Sequence, residues 1–349
     1  MSRTLLRSLV AACSLLSTVA RGAEFSWEVA GLTSDGHHGS LKTENSSLQA
    51  THYLRGVDDS IGPYSLARFL DPASSVSVTL GHSKFIQQLT AIGPVPFPVP
   101  LDVLSREAEK SIGGRYVLPQ SKWYFGGTYT TTDIDSPVGV GTNFVDGHAY
   151  GLLAGKYLGP TTSLEATIES SDTRGESPSI ACVGTAGCVV VGTTDERIRQ
   201  DHASIGLLHV ASFRALRYSL SGRIATTSGH VDLHQPAFTF PIPSPPPPFG
   251  GATTIPANSV TFGIPQLRSY SVGGELFPTT RIGIRVGYTR WDDETAADHA
   301  YDVAATWFFR RNVGLRFAFS RQHAGAGLVY TDVDFQNMDI GTLGVIGRF

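Results

Sequence analysis

Arginine and acidic residues occupy alternate positions in several segments whose other positions are apolar. From 313 to 320, Val313, Leu315, Phe317 and Phe319 alternate with small residues and Arg316. Successive side chains of a β-strand point to opposite faces, so such a strand has one apolar face and one that carries charge. Charged groups facing a lumen set the local potential that ions experience. If such strands enclose a lumen, the residues predicted to line its wall are Arg217, Arg223, Arg281, Arg285 and Arg316, with Glu165, Glu169, Glu275 and Asp302 as counter-charges.

Two interpretations of these charges stay open. Separate basic and acidic sectors would create a transverse field that orients polar solutes. Dispersed charges would only hydrate the wall.

Two Asp-His neighbours are the residues that come nearest to an acid–base couple. They are Asp201-His202 and Asp298-His299. Adjacent residues in a strand point to opposite faces, so neither pair is a ready-made couple. The run 35–38 holds two adjacent His residues that are typical of a solvated loop rather than a metal site. We therefore predict no catalytic residue, no metal and no cofactor, and keep a rim hydrolase that uses His202 or His299 as an alternative.

The N-terminus has the order of a secretory signal peptide. Arg3 and Arg7 precede an apolar run, and small residues follow at Ala20, Gly22 and Ala23. We expect residues 1–22 to be the signal peptide, cleaved after Ala20 or Gly22, and residues 23–349 to form one domain. A lipidated N-terminus at Cys13 is the less favoured alternative.

The exported chain keeps two cysteines, Cys182 and Cys188, in a stretch rich in Gly and Ser. Oxidising compartments favour disulfides, so we predict a local disulfide between them, with two free thiols as the alternative. Closing so short a loop would stabilise the fold by about 2 kcal/mol in the chain-entropy model.

Composition excludes several classes of protein. The 349 residues include 41% apolar and 16% charged residues, and the formal charge is −3. Beyond the N-terminus no apolar run approaches the length of a spanning helix, which excludes a helical membrane protein. Acids and bases are dispersed, so no basic stripe suited to nucleic-acid phosphates exists.

Alternation of period two recurs in segments of about ten residues separated by Gly, Pro, Asn, Asp and Ser, which indicates an all-β fold. We predict about fourteen strands, with 12 to 16 possible. They are 24–32, 47–55, 75–86, 104–118, 122–133, 146–157, 162–172, 200–210, 215–229, 265–277, 281–292, 298–309, 313–322 and 339–349.

Connections between these strands alternate between short and long. The long ones are 134–145, 173–199, 230–264 and 323–338, and this asymmetry is typical of transmembrane antiparallel up-and-down barrels. The connection 56–74 falls on the short side yet holds nineteen residues, and its 63–70 run could form a brief helical turn. The Pro-rich loop 230–264 could either constrict the lumen or shield its outer mouth.

Aromatic residues near the short turns favour a lipid-facing wall over a packed sandwich, since such girdles lie at membrane interfaces. The predicted girdle residues are Trp123, Tyr157, Phe213, Phe277, Trp307 and Phe309.

The C-terminus closes an alternating strand, 342–349, on Phe349, which resembles the assembly signal of outer-membrane β-barrels. Together with the strand ladder and the signal peptide, the chain resembles Gram-negative porins. The run from Gly62-Pro63-Tyr64 to Phe69-Leu70, with 73–76 after it, is similar to a segment of the general bacterial porin family. Loop 134–145 is short and lacks the acidic constriction motif of trimeric general porins, so their trimerisation and selectivity are not carried over.

The resemblance implies a water-filled outer-membrane channel for passive diffusion of small hydrophilic solutes or ions. Its implied partners are outer-membrane lipid, the barrel-assembly machinery, which would recognise the strand ending in Phe349, and in some porins a second copy of the chain. A non-conducting structural or adhesive barrel with plugging loops remains the alternative.

Overall fold

A computed structural model describes residues 24–38, 41–90, 100–138, 143–182, 188–214, 216–241, 252–255, 257–292, 297–323 and 338–349. Within these ranges fourteen strands form one closed antiparallel barrel, and two further strands form a small separate hairpin. The predicted fold class and strand number are confirmed. The predicted signal peptide, 1–22, lies outside the described residues.

The strands of the first half of the barrel are β1 (Glu24–His38), β2 (Leu41–Asp58), β3 (Ser75–Thr90), β4 (Pro100–Val117), β5 (Trp123–Val138), β6 (Asn143–Gly159), β7 (Thr162–Cys182) and β8 (Cys188–Phe213). The second half contains β9 (Leu216–Gln235), β12 (Asn258–Thr279), β13 (Ile282–Asp292), β14 (Ala297–Arg310), β15 (Val313–His323) and β16 (Met338–Arg348). The hairpin of β10 (Phe238–Pro241) and β11 (Ala252–Ile255) lies between β9 and β12 in the chain.

Each barrel strand pairs with its neighbours in the chain, and β1 pairs with β16 to close the barrel. Closure satisfies the backbone groups that an open sheet edge would leave without partners, which is required in lipid. The described helical residues are a 3-10 turn (Tyr64–Leu66) and a one-turn helix, α1 (Ala67–Leu70). None of the helical segments that the structure describes is long and apolar enough to cross a membrane.

Several strands are longer than predicted. β7 and β8 take in most of the predicted loop 173–199, and β9 and β12 take in much of the predicted loop 230–264. Both faces of these extensions carry polar residues, as in Thr193-Thr194-Asp195-Glu196, so the apolar alternation that identifies a strand is lost there. The Pro-rich run 242–250 lies outside the described residues.

The outward face of the wall is apolar and exposed. Val76, Val78 and Leu80 on β3 are all about half exposed, as are Ile284 and Val286 on β13. A soluble protein would bury such a continuous surface, whereas a barrel in a bilayer turns it toward the acyl chains.

The predicted aromatic girdle is correct for four residues and wrong for two. Trp123, Phe213, Trp307 and Phe309 are exposed on the outer wall. Tyr157 and Phe277 are 6% and 3% exposed and belong instead to an apolar cluster inside the short-turn end of the barrel. Alternation did not distinguish contact with lipid from contact with the residues that fill this end.

Two neighbours on β7 test which face is lipid-exposed. Ile168→Arg should destabilise the barrel in liposomes by about 2–4 kcal/mol, because it places a charge on the lipid face. Thr167→Arg should cost much less, since Thr167 shares the inward face with Glu165 and Glu169. Urea unfolding from liposomes measures both, and equal losses would contradict the assignment of faces.

Candidate functional site

Residues 59–74, here the crossing segment, connect β2 to β3 on the side where the other described connections are only a few residues long. The 3-10 turn and α1 lie within it, which confirms the predicted brief helical turn. Its contacts reach strands on every side of the barrel. The crossing segment therefore lies across the short-turn mouth instead of looping back beside β2 and β3.

Apolar side chains hold one flank of the crossing segment against the wall. Leu66 and Phe69 are buried, and the Phe69 ring centroid lies 5.7 Å from that of Tyr157. The wall residues of this cluster are Val117, Tyr124, Tyr157, Val210 and Phe277, from β4, β5, β6, β8 and β12. Burying a side chain of this size contributes about 1.5–3 kcal/mol.

A second cluster holds the first residue of α1 and Ala73, which follows the helix by three residues. Ala67 and Ala73 are each 1% exposed and pack with Phe25, Tyr53 and Val57 of β1 and β2. Small residues here let the backbone of the crossing segment approach the wall closely.

Hydrogen bonds tie the crossing segment to the opposite side of the barrel. The Tyr64 backbone N–H donates to the carbonyl oxygen of Thr280, in the turn between β12 and β13, at 2.8 Å. The Arg217 Nη1 atom donates to the carbonyl oxygen of Ile61 at 2.7 Å. In the turn between β14 and β15, Arg311 donates from Nε to Asp59 Oδ1 at 2.6 Å.

Arg348 is the most buried of the charged anchors. Its side chain is 4% exposed, and its Nε atom donates to Glu28 Oε2 at 2.8 Å. The guanidinium lies 4.6 Å from the ring centroid of Phe25 and 4.8 Å from that of Phe308. Its Nη1 atom donates to the carbonyl oxygen of Tyr64 at 2.6 Å. Arg348 thus joins β1, β16 and the crossing segment.

Asp71 fastens the two ends of the crossing segment together. Its carboxylate accepts a 3.0 Å hydrogen bond from Arg55 and a 2.8 Å one from the Asp58 backbone N–H. Burial acts to raise the pKa of Asp71, but these bonds lower the pKa below its usual value. Asp71 therefore keeps its charge, and its share of the anchorage, until the pH falls below the usual carboxyl range.

Charged residues line the wall on the inner side of the apolar face. Residues paired across antiparallel strands share a face, and Arg285 pairs with Ala304, which is buried inside the barrel. The same alternation places Arg223, Arg316, Glu165, Glu169, Glu275 and Asp302 inward.

The inward charges are unevenly distributed among the strands. Strands β9, β13 and β15 contribute Arg217, Arg223, Arg285 and Arg316, with Glu275 and Asp302 among them, and Arg115 of β4 also faces inward. Strands β4 and β7 contribute the acidic group, which adds two residues that the sequence analysis missed to Glu165 and Glu169, namely Glu107 and Glu109. Every second residue of β4, counted back from the inward Val117 toward the N-terminus, faces inward, and this count reaches both Glu109 and Glu107.

Two inward pairs approach at ion-pair distance without direct hydrogen bonding. The Arg223 Nη2 and Glu165 Oε1 atoms are 3.7 Å apart, as are Arg285 Nε and Asp302 Oδ2. Their side chains are about one-quarter to one-half exposed, and such pairs contribute little to stability. Their charges are therefore only partly compensated at the inner wall.

Glycines make room for two of these acidic groups. A Cβ atom on Gly287 would lie 2.0 Å from Asp302 Oδ1, and one on Gly283 would lie 2.2 Å from Glu275 Oε1. Both carboxylates therefore lie against the backbone of β13.

Two of the residues predicted to line the wall, Arg281 and Arg217, lie at the short-turn end of the barrel. Arg281 lies in the turn between β12 and β13, one residue before Ile282 opens the strand, so the predicted strand start at 281 is wrong by one residue and its place on the inner wall stays a prediction. Arg217 faces inward but is engaged by the crossing segment through Ile61.

The remaining predicted residues do not form a site together. His202 faces Thr227, whose Oγ1 atom is 3.0 Å from its Nδ1 atom, while His299 stacks on His323 on the other face of the wall. Cys182 and Cys188 are paired in the register of β7 and β8, but their side chains lie outside the described set, so the disulfide stays a prediction. The described residues contain no cluster of three potential metal ligands.

The backbone of Phe349 completes the seam of the barrel. Its N–H donates to the Trp27 carbonyl at 2.9 Å, and its carbonyl accepts from Ser26 at 2.7 Å. Its role as an assembly signal stays a prediction.

A closed fourteen-strand barrel with an apolar outer wall and a charged inner wall is the fold of outer-membrane β-barrel proteins. No family model matches the chain, and no curated protein matches its sequence. Solved outer-membrane barrels do share its fold. Omp33 of Acinetobacter baumannii is 15% identical with a TM-score of 0.50, covering 94% of this chain and 100% of that one.

Two hydrocarbon channels are also similar in structure. The Pseudomonas putida toluene transporter TodX has a TM-score of 0.55 at 14% identity and covers 96% of this chain and 92% of its own. The monoaromatic hydrocarbon channel CymD has a TM-score of 0.56 at 9% identity, with coverage of 94% and 95%. At these identities the likeness shows the fold alone.

Adjacent acidic residues test the anchorage of the crossing segment. Asp59→Asn should weaken the hydrogen bonds from Arg311, because an amide oxygen accepts without the charge of the carboxylate and charge-assisted bonds are about twice as strong as neutral ones. The crossing segment should then detach more often, and trypsin should cleave after Arg68 roughly tenfold faster in the folded barrel.

The control is Asp58→Asn, which removes the same charge but keeps an oxygen to accept from the Ser60 N–H. Its cleavage rate should match the unaltered chain. If trypsin cleaved the Asp59→Asn and Asp58→Asn variants at the same rate, Asp59 would not be what holds the crossing segment in place.

Proposed function

We propose that this chain is an outer-membrane channel for passive diffusion of small hydrophilic solutes or ions, with its narrowest part at the crossing segment. The observation that carries the proposal is a closed barrel whose inner wall bears arginine and carboxylate side chains. A barrel of fourteen strands is too wide for wall side chains alone to fill, so water occupies the remaining space.

The inner wall favours hydrophilic cargo over hydrocarbons. TodX and CymD are named as a toluene transporter and a monoaromatic hydrocarbon channel. The inward arginines and carboxylates described above would have to be desolvated against an apolar solute, which is unfavourable. Ions and polar solutes would instead interact favourably with these charged groups, which could stay hydrated.

Charge separation supports selection among polar solutes. Four of the inward arginines lie on β9, β13 and β15, and the acidic group of Glu107, Glu109, Glu165 and Glu169 lies on β4 and β7. A solute that crosses the lumen between them experiences a transverse field, which low-dielectric walls strengthen. The partners of this function are the outer-membrane lipid around the wall and the solutes within it.

The crossing segment also keeps the alternative open. If it closes the mouth permanently, the chain is a non-conducting structural or adhesive barrel. Single-channel conductance of the refolded protein in a planar bilayer separates the two. Steady steps are expected for the channel, and a folded, heat-modifiable barrel that never conducts would contradict the proposal.

The direction in which the reversal potential shifts tests which inward charges control ion preference. Arg285→Gln with Arg316→Gln should shift the reversal potential in a salt gradient toward cation preference, because positive charge leaves the inner wall. Glu107→Gln with Glu109→Gln should shift it toward anion preference.

The matched control is Arg290→Gln, because Arg290 lies on β13 but shares the outward face with Tyr288. It should leave the reversal potential unchanged. A shift in the control, or none in either inward pair, would contradict the assignment of these residues to the lumen.

A further inference from the structure

A cavity of about 550 Å³ lies at the short-turn end of the barrel, beside the crossing segment. It is bounded by the turn between β4 and β5, the turn between β6 and β7, and the end of β2. Its apolar lining includes Leu54, Tyr116 and Leu118. These three side chains are 63%, 59% and 36% exposed and belong to the outer surface. Phe69, Val117 and Tyr157 of the interior cluster form its inner side, so the cavity reaches from that cluster to the outer face of the wall.

Lys122 stands at the edge of this cavity in a fixed backbone position. Its φ is 59°, its N–H donates to the Leu118 carbonyl at 3.0 Å, and its carbonyl accepts from the Tyr157 N–H at 2.9 Å. Two hydrogen bonds thus hold the backbone that carries the ammonium group. Arg55, also at the cavity, is already neutralised by Asp71.

A second lysine lies on the neighbouring outer surface. The Lys156 Nζ atom is 5.2 Å from the ring centroid of Trp123, the residue after Lys122. Within the described part of the chain, neither Lys122 nor Lys156 forms an ion pair. Lys122 therefore lines the apolar cavity and Lys156 lies beside it across Trp123, both without an ion-pair partner among the described residues.

The long-loop end of the barrel differs in this respect. Outward cations there have acidic neighbours, with Lys110 3.1 Å from Asp133 and Arg321 2.7 Å from Asp339. Those cations are neutralised within the protein, whereas Lys122 and Lys156 are available to a ligand.

We propose that this cavity binds an anionic phospholipid of the leaflet that surrounds the short turns. The phosphate would lie between Lys122 and Lys156, and the first part of an acyl chain would run along Leu54, Tyr116 and Leu118. A membrane lipid fits better than a soluble amphiphile because the cavity opens onto the lipid-facing wall. The proposal rests on insertion of the barrel in the outer membrane.

The test uses residues 23–349, without the predicted signal peptide, refolded in neutral detergent and titrated with phosphatidylglycerol or phosphatidylcholine. Native mass spectrometry counts the bound lipid. Phosphatidylglycerol should bind more tightly, and Lys122→Gln with Lys156→Gln should weaken it about 25-fold, from roughly fivefold per lysine. Lys122→Arg with Lys156→Arg should retain binding.

The matched control is Lys84→Gln with Lys110→Gln, which removes two outward lysines toward the other end of the barrel. Affinity should stay within twofold of the unaltered chain. Equal loss in the control, or no preference for phosphatidylglycerol, would overturn the proposal. So would competition by a soluble alkyl phosphate at equal concentration, which would assign the cavity to a soluble amphiphile.

Heat-modifiability on gels shows independently whether each variant folds and whether the barrel itself exists. If the double variant does not fold, Lys122→Gln alone should weaken binding about fivefold, and unchanged affinity would overturn the proposal. Channel conductance does not enter this readout, so a non-conducting barrel would leave the lipid result interpretable.

Discussion

Pairing of β1 with β16 is the constraint on which the rest of the structure depends. The register runs from Glu28 opposite Arg348 to His37 opposite Asp339. Without this seam, two strand edges would expose their backbone groups to lipid, at a cost of several kcal/mol for each group without a partner. At its short-turn end the seam is also joined by side chains, through the buried ion pair of Glu28 and Arg348.

The same ion pair links barrel closure to the mouth of the lumen. A buried charge is tolerated only when its hydrogen-bonding capacity is used, and Arg348 uses Glu28 and the Tyr64 carbonyl. Arg68 of the crossing segment adds a further positive charge 3.7 Å from Glu28. The crossing segment is thus part of the electrostatic environment that stabilises the buried pair of Glu28 and Arg348.

Because the crossing segment is fixed at the short-turn end, the interior of the barrel has two parts with different linings. Toward the long loops, the wall carries charged residues that are richer in arginine on some strands and richer in carboxylates on others, with no apolar filling cluster among the described residues. At the short-turn end, Leu66, Phe69, Tyr157 and Phe277 pack into a core of the kind found in soluble proteins. Solutes would be sorted by charge in the first part and limited by size in the second.

Much of the wall could be predicted from local pattern. The alternation in Val313 to Ser320 identifies a strand because lipid and water demand opposite side chains on its two faces. The same logic failed for Thr193 to Glu196, where both faces are polar. It also misassigned Tyr157 and Phe277, since an inward apolar cluster and an outward girdle require the same residue types.

The candidate site was only partly accessible to sequence reasoning. The length of 56–74 identified an unusual connection, but nothing local indicates that it crosses the mouth. Glu28 and Arg348 are 320 positions apart, and only closure of the barrel brings them together. Arg281 was misplaced by one residue at a strand end, where turns and strands have similar composition.

Shortening the crossing segment tests the central claim most directly. Residues 59–74 would be replaced by an Asn-Gly turn, which connects adjacent antiparallel strands without reaching across the lumen. Single-channel conductance of this variant, shown to be folded by heat-modifiability, should be several-fold larger than that of the unaltered chain. An unchanged conductance would contradict the account, because it would place the narrowest part of the channel elsewhere.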